Sequence, residues 1–205
     1  VNIVSVDDNG NQQPANYLYP SLSADGRYVL FVATNSPTKL DITKPDTTFT
    51  VYIRDTQTGT TRGVVSESNY AVLSANGRYV AYDTVYRSGV TGQVFRYDLT
   101  TGENIKVSVN DNGIEANYES YLPSISADGR YITFTSVSNN LVNDDTNENY
   151  DVFLHDTVTE QTSRVSVASD GTQGNDMSWT SVISGDGKYV AFNSNATNLV
   201  GDDNN

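Results

Sequence analysis

Short runs in which apolar and polar residues alternate recur along the chain, separated by clusters of Gly, Asn, Asp, Ser and Thr. Tyr131–Ser136 (YITFTS) is the clearest, and its alternation has the period of a half-buried strand. Before it, Leu122–Ser126 (LPSIS) reads as a short strand and Ala127-Asp128-Gly129 as a tight turn. After it come a polar loop (Ser138–Tyr150), a strand at Asp151–Asp156 (DVFLHD), a turn at Thr157–Thr162 and a strand at Ser163–Val167 (SRVSV). These four strands are called a to d below.

The turn between a and b returns along the chain. It reads SADGRY at Ser23–Tyr28, SANGRY at Ser74–Tyr79, SADGRY at Ser126–Tyr131 and SGDGKY at Ser184–Tyr189. A spacing of roughly 50 residues is the mark of a repeat architecture whose units bury their apolar faces only against neighbours. Gly supplies the positive φ that closes a short hairpin and Asp bonds its own backbone, so the motif is read as structural. The aromatics that open strand b (Tyr28, Tyr79, Tyr131, Tyr189) and those three residues on (Phe31, Tyr82, Phe134, Phe192) are expected to pack between or within units.

Strand c recurs as VYIRD (Val51–Asp55) and VFRYD (Val94–Asp98). Strand d with its turn recurs as VSVDDNG (Val4–Gly10), VSVNDNG (Val107–Gly113) and VSVASDG (Val165–Gly171). The units are therefore about 1–13 (strand d only), 14–67, 68–113, 114–171 and a partial 172–205, all in one domain. This offset phase implies either continuation of the chain or a strand supplied by another molecule.

Composition narrows the partners. The 205 residues carry a formal net charge of −13 with twelve Lys and Arg, too few to build a phosphate-binding face, so nucleic acid is not expected. No apolar run approaches the ~20 residues of a transmembrane helix. The chain has no cysteine, which excludes disulfides and thiolate chemistry without fixing a compartment. Acidity favours cations as partners.

The units resemble the TolB-type, WD-like β-propeller repeats of bacteria, on the pattern SADGRYITF, then NLVNDDTNENYDVFLHD, then SRVSVASDG in the third unit. The variant with an Asn-Leu-Val loop between b and c is similar to secreted or surface-attached propellers. The resemblance implies an all-β fold of four-stranded antiparallel blades around a channel lined by the a strands, with about four units here and the last incomplete. It implies a secreted or cell-surface location, with the periplasm as the alternative.

The loop Asn143–Asp151 carries the sharpest chemistry. Asn143, Asp145, Asn147 and Asp151 put oxygen side chains at alternating positions closed by an aspartate, with Asn149 between them. A Ca²⁺ ion takes about six to eight oxygens at about 2.4 Å, and this spacing resembles the calcium loops of other propellers, though Glu148 stands where Gly makes the bend. The other reading is a solvated loop of Asx-turns. Lys44 and Arg87 stand at the position of Asp145 in the first and second units, whereas Asp203 begins a second copy of the loop.

Catalysis finds little support. His155 is the single histidine, on strand c where other units have Arg54 and Tyr97, a pattern that places it on a polar blade face. It points away from its neighbour Asp156. The recurring acids (Asp25, Asp128, Asp186; Asp55, Asp98, Asp156) sit at turns or strand ends. Tyr121 and Trp179, matched by Leu18 before strand a, could stack on sugars or pack between blades. The expectation is a non-catalytic structural or protein-interaction module, self-associating through the incomplete blade, with a calcium-stabilised loop; the alternative is a carbohydrate-binding propeller.

Overall fold

The computed structural model describes residues 5, 6, 9, 11, 16–34, 48–68, 70–84 and 91–201. All regular structure among them is β. The first blade is β1 (Asn16–Leu22), β2 (Tyr28–Thr34), β3 (Phe49–Asp55) and β4 (Thr60–Ser66). The second is β5 (Tyr70–Leu73), β6 (Tyr79–Asp83), β7 (Val94–Asp98) and β8 (Asn104–Lys106). The third is β9 (Ser120–Ile125), β10 (Tyr131–Ser136), β11 (Asp151–Asp156) and β12 (Gln161–Arg164), and β13 (Ser178–Ile183) with β14 (Val190–Ser194) opens a fourth. Each four-stranded sheet is ordered as its strands follow in the chain, with antiparallel neighbours.

Radial order follows from which strands meet. β1 touches β5, β5 touches β9 and β9 touches β13, so the a strands lie side by side on the inside. The turns that end them are hydrogen-bonded in series: Ala24 N to Ala75 O (2.8 Å), Asn76 N to Ala127 O (3.0 Å) and Ala127 N to Gly185 O (2.9 Å). Apolar cores fill the gaps between sheets. Leu30, Val32, Val51 and Ile53 join Ala71, Leu73, Val80 and Tyr82 in one. Ala81, Val94 and Val107 join Ile132, Phe134 and Phe153 in the next.

The repeated turn has a double cause. Within each turn the serine hydroxyl donates to the Asp or Asn side chain, as Ser23 Oγ does to Asp25 Oδ1 (2.6 Å), and accepts from the tyrosine N–H. The glycine also lies under the preceding blade's tyrosine. A Cβ on Gly129 would sit 2.1 Å from the Tyr79 ring, and one on Gly187 2.3 Å from Tyr131. Both the positive φ (80° and 73°) and the ring exclude any other residue. The arginine of the motif grips the aspartate ending strand c of its own blade: Arg27 with Asp55, Arg78 with Asp98, Arg130 with Asp156.

Two expectations need correction. The fourth strand of the third blade is Gln161–Arg164, not Ser163–Val167. The Val-Ser-Val segment keeps one backbone bond to strand c, Val165 N to Val152 O (2.8 Å), and its serine side chain then replaces the next backbone partner: Ser166 Oγ accepts from Val152 N (3.2 Å), as Ser108 Oγ does from Val94 N (3.1 Å). His155 is buried, not on a polar face, with Nδ1 2.9 Å from Thr162 Oγ1. The early d strand at Val4–Gly10 lies largely outside the described residues; Val6 is buried and its carbonyl accepts from Thr61 Oγ1.

Candidate functional site

The acidic loop folds into a closed clasp. Asp145 and Asp151 are brought together, and Gln173 Nε2 donates to both, to Asp145 Oδ1 (2.9 Å) and Asp151 Oδ2 (2.8 Å). Ser166 Oγ donates to the other oxygen of Asp151. The Arg164 guanidinium, with a side chain 4 % exposed, lies 3.7 Å from Asp145 Oδ1 and 3.2 Å from Asp144 Oδ1. Burial pushes the Asp151 carboxyl up, against the lowering pull of Ser166 and Gln173. Asn147 turns its amide to Gly174 O (2.9 Å) and accepts from Asn149 N with its oxygen (2.9 Å). Glu148 makes the bend at φ 54° without glycine. Asn143 is exposed, and Asp203 lies outside the described residues.

These residues do not fit a calcium ion as they stand. A hard cation needs free oxygens converging on one point. Here an amide and a guanidinium already face the carboxylates, and an entering ion would have to displace both. Among the described residues no group of three or more His, Asp or Glu could hold a metal. Gln173 and Arg164 were not singled out in the sequence because they come from strand d and its following arc, remote from the loop.

A second site lies near the starts of the a strands, at the end of the blades opposite the a–b turns. A cavity of about 620 Å³ is lined by Tyr19, Tyr70, Tyr121, Glu119 and Asp83 among others. Tyr19 and Tyr70 meet edge to face at 5.0 Å, and Tyr121 meets Tyr150 the same way at 5.6 Å. Tyr121 thus joins an aromatic cluster, while Trp179, at the same register on β13 opposite Asn193, does not line the cavity.

Asp83 is the unusual member. It is 4 % exposed; its Oδ2 accepts from Leu122 N (3.1 Å), and its Oδ1 has no hydrogen-bond partner among the described residues. Burial pushes its carboxyl up to about 7. The Leu122 N–H reaches it because Leu122 takes a left-handed conformation (φ 52°) at a bulge between Thr133 and Thr135 of the β9–β10 ladder. Tyr19 and Thr180 hold the same conformation on β1 and β13. β5 pairs with β6 without a bulge. The register of Asp83, opposite Tyr70, is that of Thr135 opposite Tyr121 and Val32 opposite Leu18. An acid where the neighbouring blades carry Thr and Val is the sequence signal that could have found it.

Four sheets fanned about touching a strands, with turn bonded to turn, match solved propellers. TolB from Acinetobacter baumannii superposes with a TM-score of 0.58 at 18% identity, over 89% of this chain and 38% of that one. The fold is a TolB-like β-propeller. Dipeptidyl peptidase 4 from Porphyromonas gingivalis gives a TM-score of 0.56 at 15% identity, over 91% of this chain and 30% of that one. The β-propeller domain of the Trilobed protease from Pyrococcus furiosus gives 0.52 at 16% identity, over 74% and 42%. The chain thus spans less than half the length of each of these proteins. No family model and no curated protein matches the sequence.

Proposed function

We propose that this chain is a non-catalytic, secreted or surface-exposed protein-interaction module that associates head to tail through the open faces of its blade stack. One observation carries the reading. Tyr28, Tyr79 and Tyr131 each sit on the glycine of the following turn, whereas Tyr189 is 72 % exposed and Gly26 has nothing within 4 Å of its Cβ position. Val182 is exposed on the same fourth-blade face, and Leu22 is exposed on the first blade where Leu73 and Ile183 are buried in later ones. Among the described residues both halves of this joint are therefore unpaired, and the occupant that fits is a further blade, which a second copy can supply as well as more of the same protein. Such a contact is heterologous, and it builds rings or filaments according to its rotation.

The external location is supported by the sequence resemblance alone; no helix among the described residues is long and apolar enough to cross a membrane. Sedimentation velocity across a concentration series tests the assembly. Association should rise with concentration and disappear in Tyr189→Ser, whose exposed position leaves the fold intact. A strictly monomeric chain at high concentration, or a variant that associates as well as the parent, overturns it.

A further inference from the structure

The cavity around Asp83 is built to receive something. A buried carboxylate oxygen without a partner is costly, because the donor it lost in leaving water has not been replaced. Asp83 Oδ1 is such an atom, and it belongs to a residue lining an open cavity of about 620 Å³, a size suited to a small organic group. Among the described residues that line the cavity there is no lysine or arginine. Its other charged member is Glu119, which accepts from the Tyr150 hydroxyl (3.1 Å). Three tyrosines from three blades surround the acid: Tyr19 on β1, Tyr70 on β5 and Tyr121 on β9.

We propose that this cavity binds an organic ammonium group, which donates to Asp83 Oδ1 and rests against the rings of Tyr19, Tyr70 and Tyr121. A cation satisfies both deficits at once. It gives the orphaned oxygen a charge-assisted hydrogen bond, and aromatic faces attract it through their quadrupoles. A neutral hydroxyl would supply the bond without the charge. The chain's net charge of −13 raises the local concentration of cations and opposes anions. A lysine side chain and a free amine both supply such a group, and the chemistry at Asp83 is shared.

The probes are N-acetyl-lysine methylamide, its uncharged counterpart N-acetyl-norleucine methylamide, n-butylamine and a methyl glucoside, each titrated at about pH 8, above the Asp83 value. The readout is the backbone amide resonance of Leu122. Saturable shifts are expected with the lysine amide in the millimolar range, and weakening of about tenfold or more in Asp83→Asn. Butylamine binding as tightly points to free amines, and a preference for the lysine amide points to protein side chains; both support the site. Equal binding by norleucine amide, saturation by the glucoside alone, no saturation by either amine, or an unaffected variant overturns it. Should Asp83→Asn not fold, the unmodified protein decides: the lysine amide must lower the Asp83 titration midpoint, and an unchanged midpoint rejects the proposal.

Discussion

Two aspartates stand at opposite ends of the same β6–β7 ladder, Asp83 opposite Val94 and Asp98 opposite Tyr79. Both are covered, at 4 % and 3 % exposure. Yet the carboxyl of Asp98 is held down at about 2 and that of Asp83 is pushed up to about 7. The difference is the partner. Asp98 takes a bidentate grip from Arg78 and two further N–H donors, from Thr100 and Thr101, and lies just under the surface. Asp83 lies deep, where burial outweighs the pull of the Leu122 amide on Oδ2 and the lesser pull of the Tyr70 amide and its own. Burial alone therefore does not set the charge of an acid; the donors that replace water do. Asp98 has its donors within its own blade, whereas one oxygen of Asp83 has none among the described residues.

The largest effect should come from neutralising the Asp83 end. The folded value of Asp83 lies above the ordinary aspartate value of 3.8, so the unfolded chain releases this proton first as pH rises. Stability is then lost progressively from about pH 4 to about pH 7, and the full penalty stands above that. Among the described residues Tyr19, Tyr70, Glu119 and Tyr121 face the group, and none of these supplies a cation. Asp83→Asn should raise unfolding free energy at about pH 8 by something on the order of 3 kcal/mol and leave it little changed near pH 4. Urea unfolding at the two pH values checks this. A variant less stable than the parent at both would mean that Asp83 already has its partner in the folded protein.

The two ends also differ in how readable they were. Ser-x-Asp-Gly-Arg-Tyr announces its own turn, because its Ser, Asp, Gly and Tyr bond within the turn and its Arg grips the aspartate closing strand c; the hairpins and the packing of Tyr28, Tyr79 and Tyr131 follow from it. Val-Ser-Val misleads, since the side chains of Ser108 and Ser166 replace a backbone partner while the segment's pattern still reads as strand. His155 misleads in the same way: its repeat partners suggest an open face, but Thr162, itself bonded to Val109 and Asp111, covers it. Asp83 carries no motif at all. Its meaning arises from Tyr19, Leu122 and Tyr121, which the fan of blades brings to it from positions far along the chain.

A smaller effect is expected at the Asp98 end. Asp98→Asn keeps the acceptor oxygen but loses the charge that holds Arg78, whose own side chain is 46% exposed. Solvent screens much of that pair, so the loss should be roughly 1 kcal/mol at neutral pH. The sign with pH is opposite to that at Asp83. A depressed folded value stabilises above 3.8 and the benefit disappears as pH falls towards about 2, so parent and variant should converge in acid. Melting curves at about pH 7 and about pH 2.5 read this directly. Divergence that persists in acid would trace the loss to packing rather than charge.

The smallest effect is set in the third blade, where Asp151 is a middle case: as buried as Asp98, yet held by the neutral donors Ser166 and Gln173 with Arg164 nearby. We propose that these side chains complete the acidic loop without a metal. Gln93 shows the same joint made from an amide in the second blade: Ser108 donates to its oxygen (2.6 Å), and its own NH₂ donates to Ala116 O and Tyr118 O. Asp151 has no such NH₂, and Gln173 brings one. If that exchange is complete, added Ca²⁺ or a chelator should move the melting temperature by less than about 1 °C, because an ion stabilises only where it binds the folded state. A rise of several degrees with millimolar Ca²⁺, reversed by chelation, would show that the ion displaces Gln173 and Arg164, and Asp151 would then join Asp98 among the acids paired with a cation.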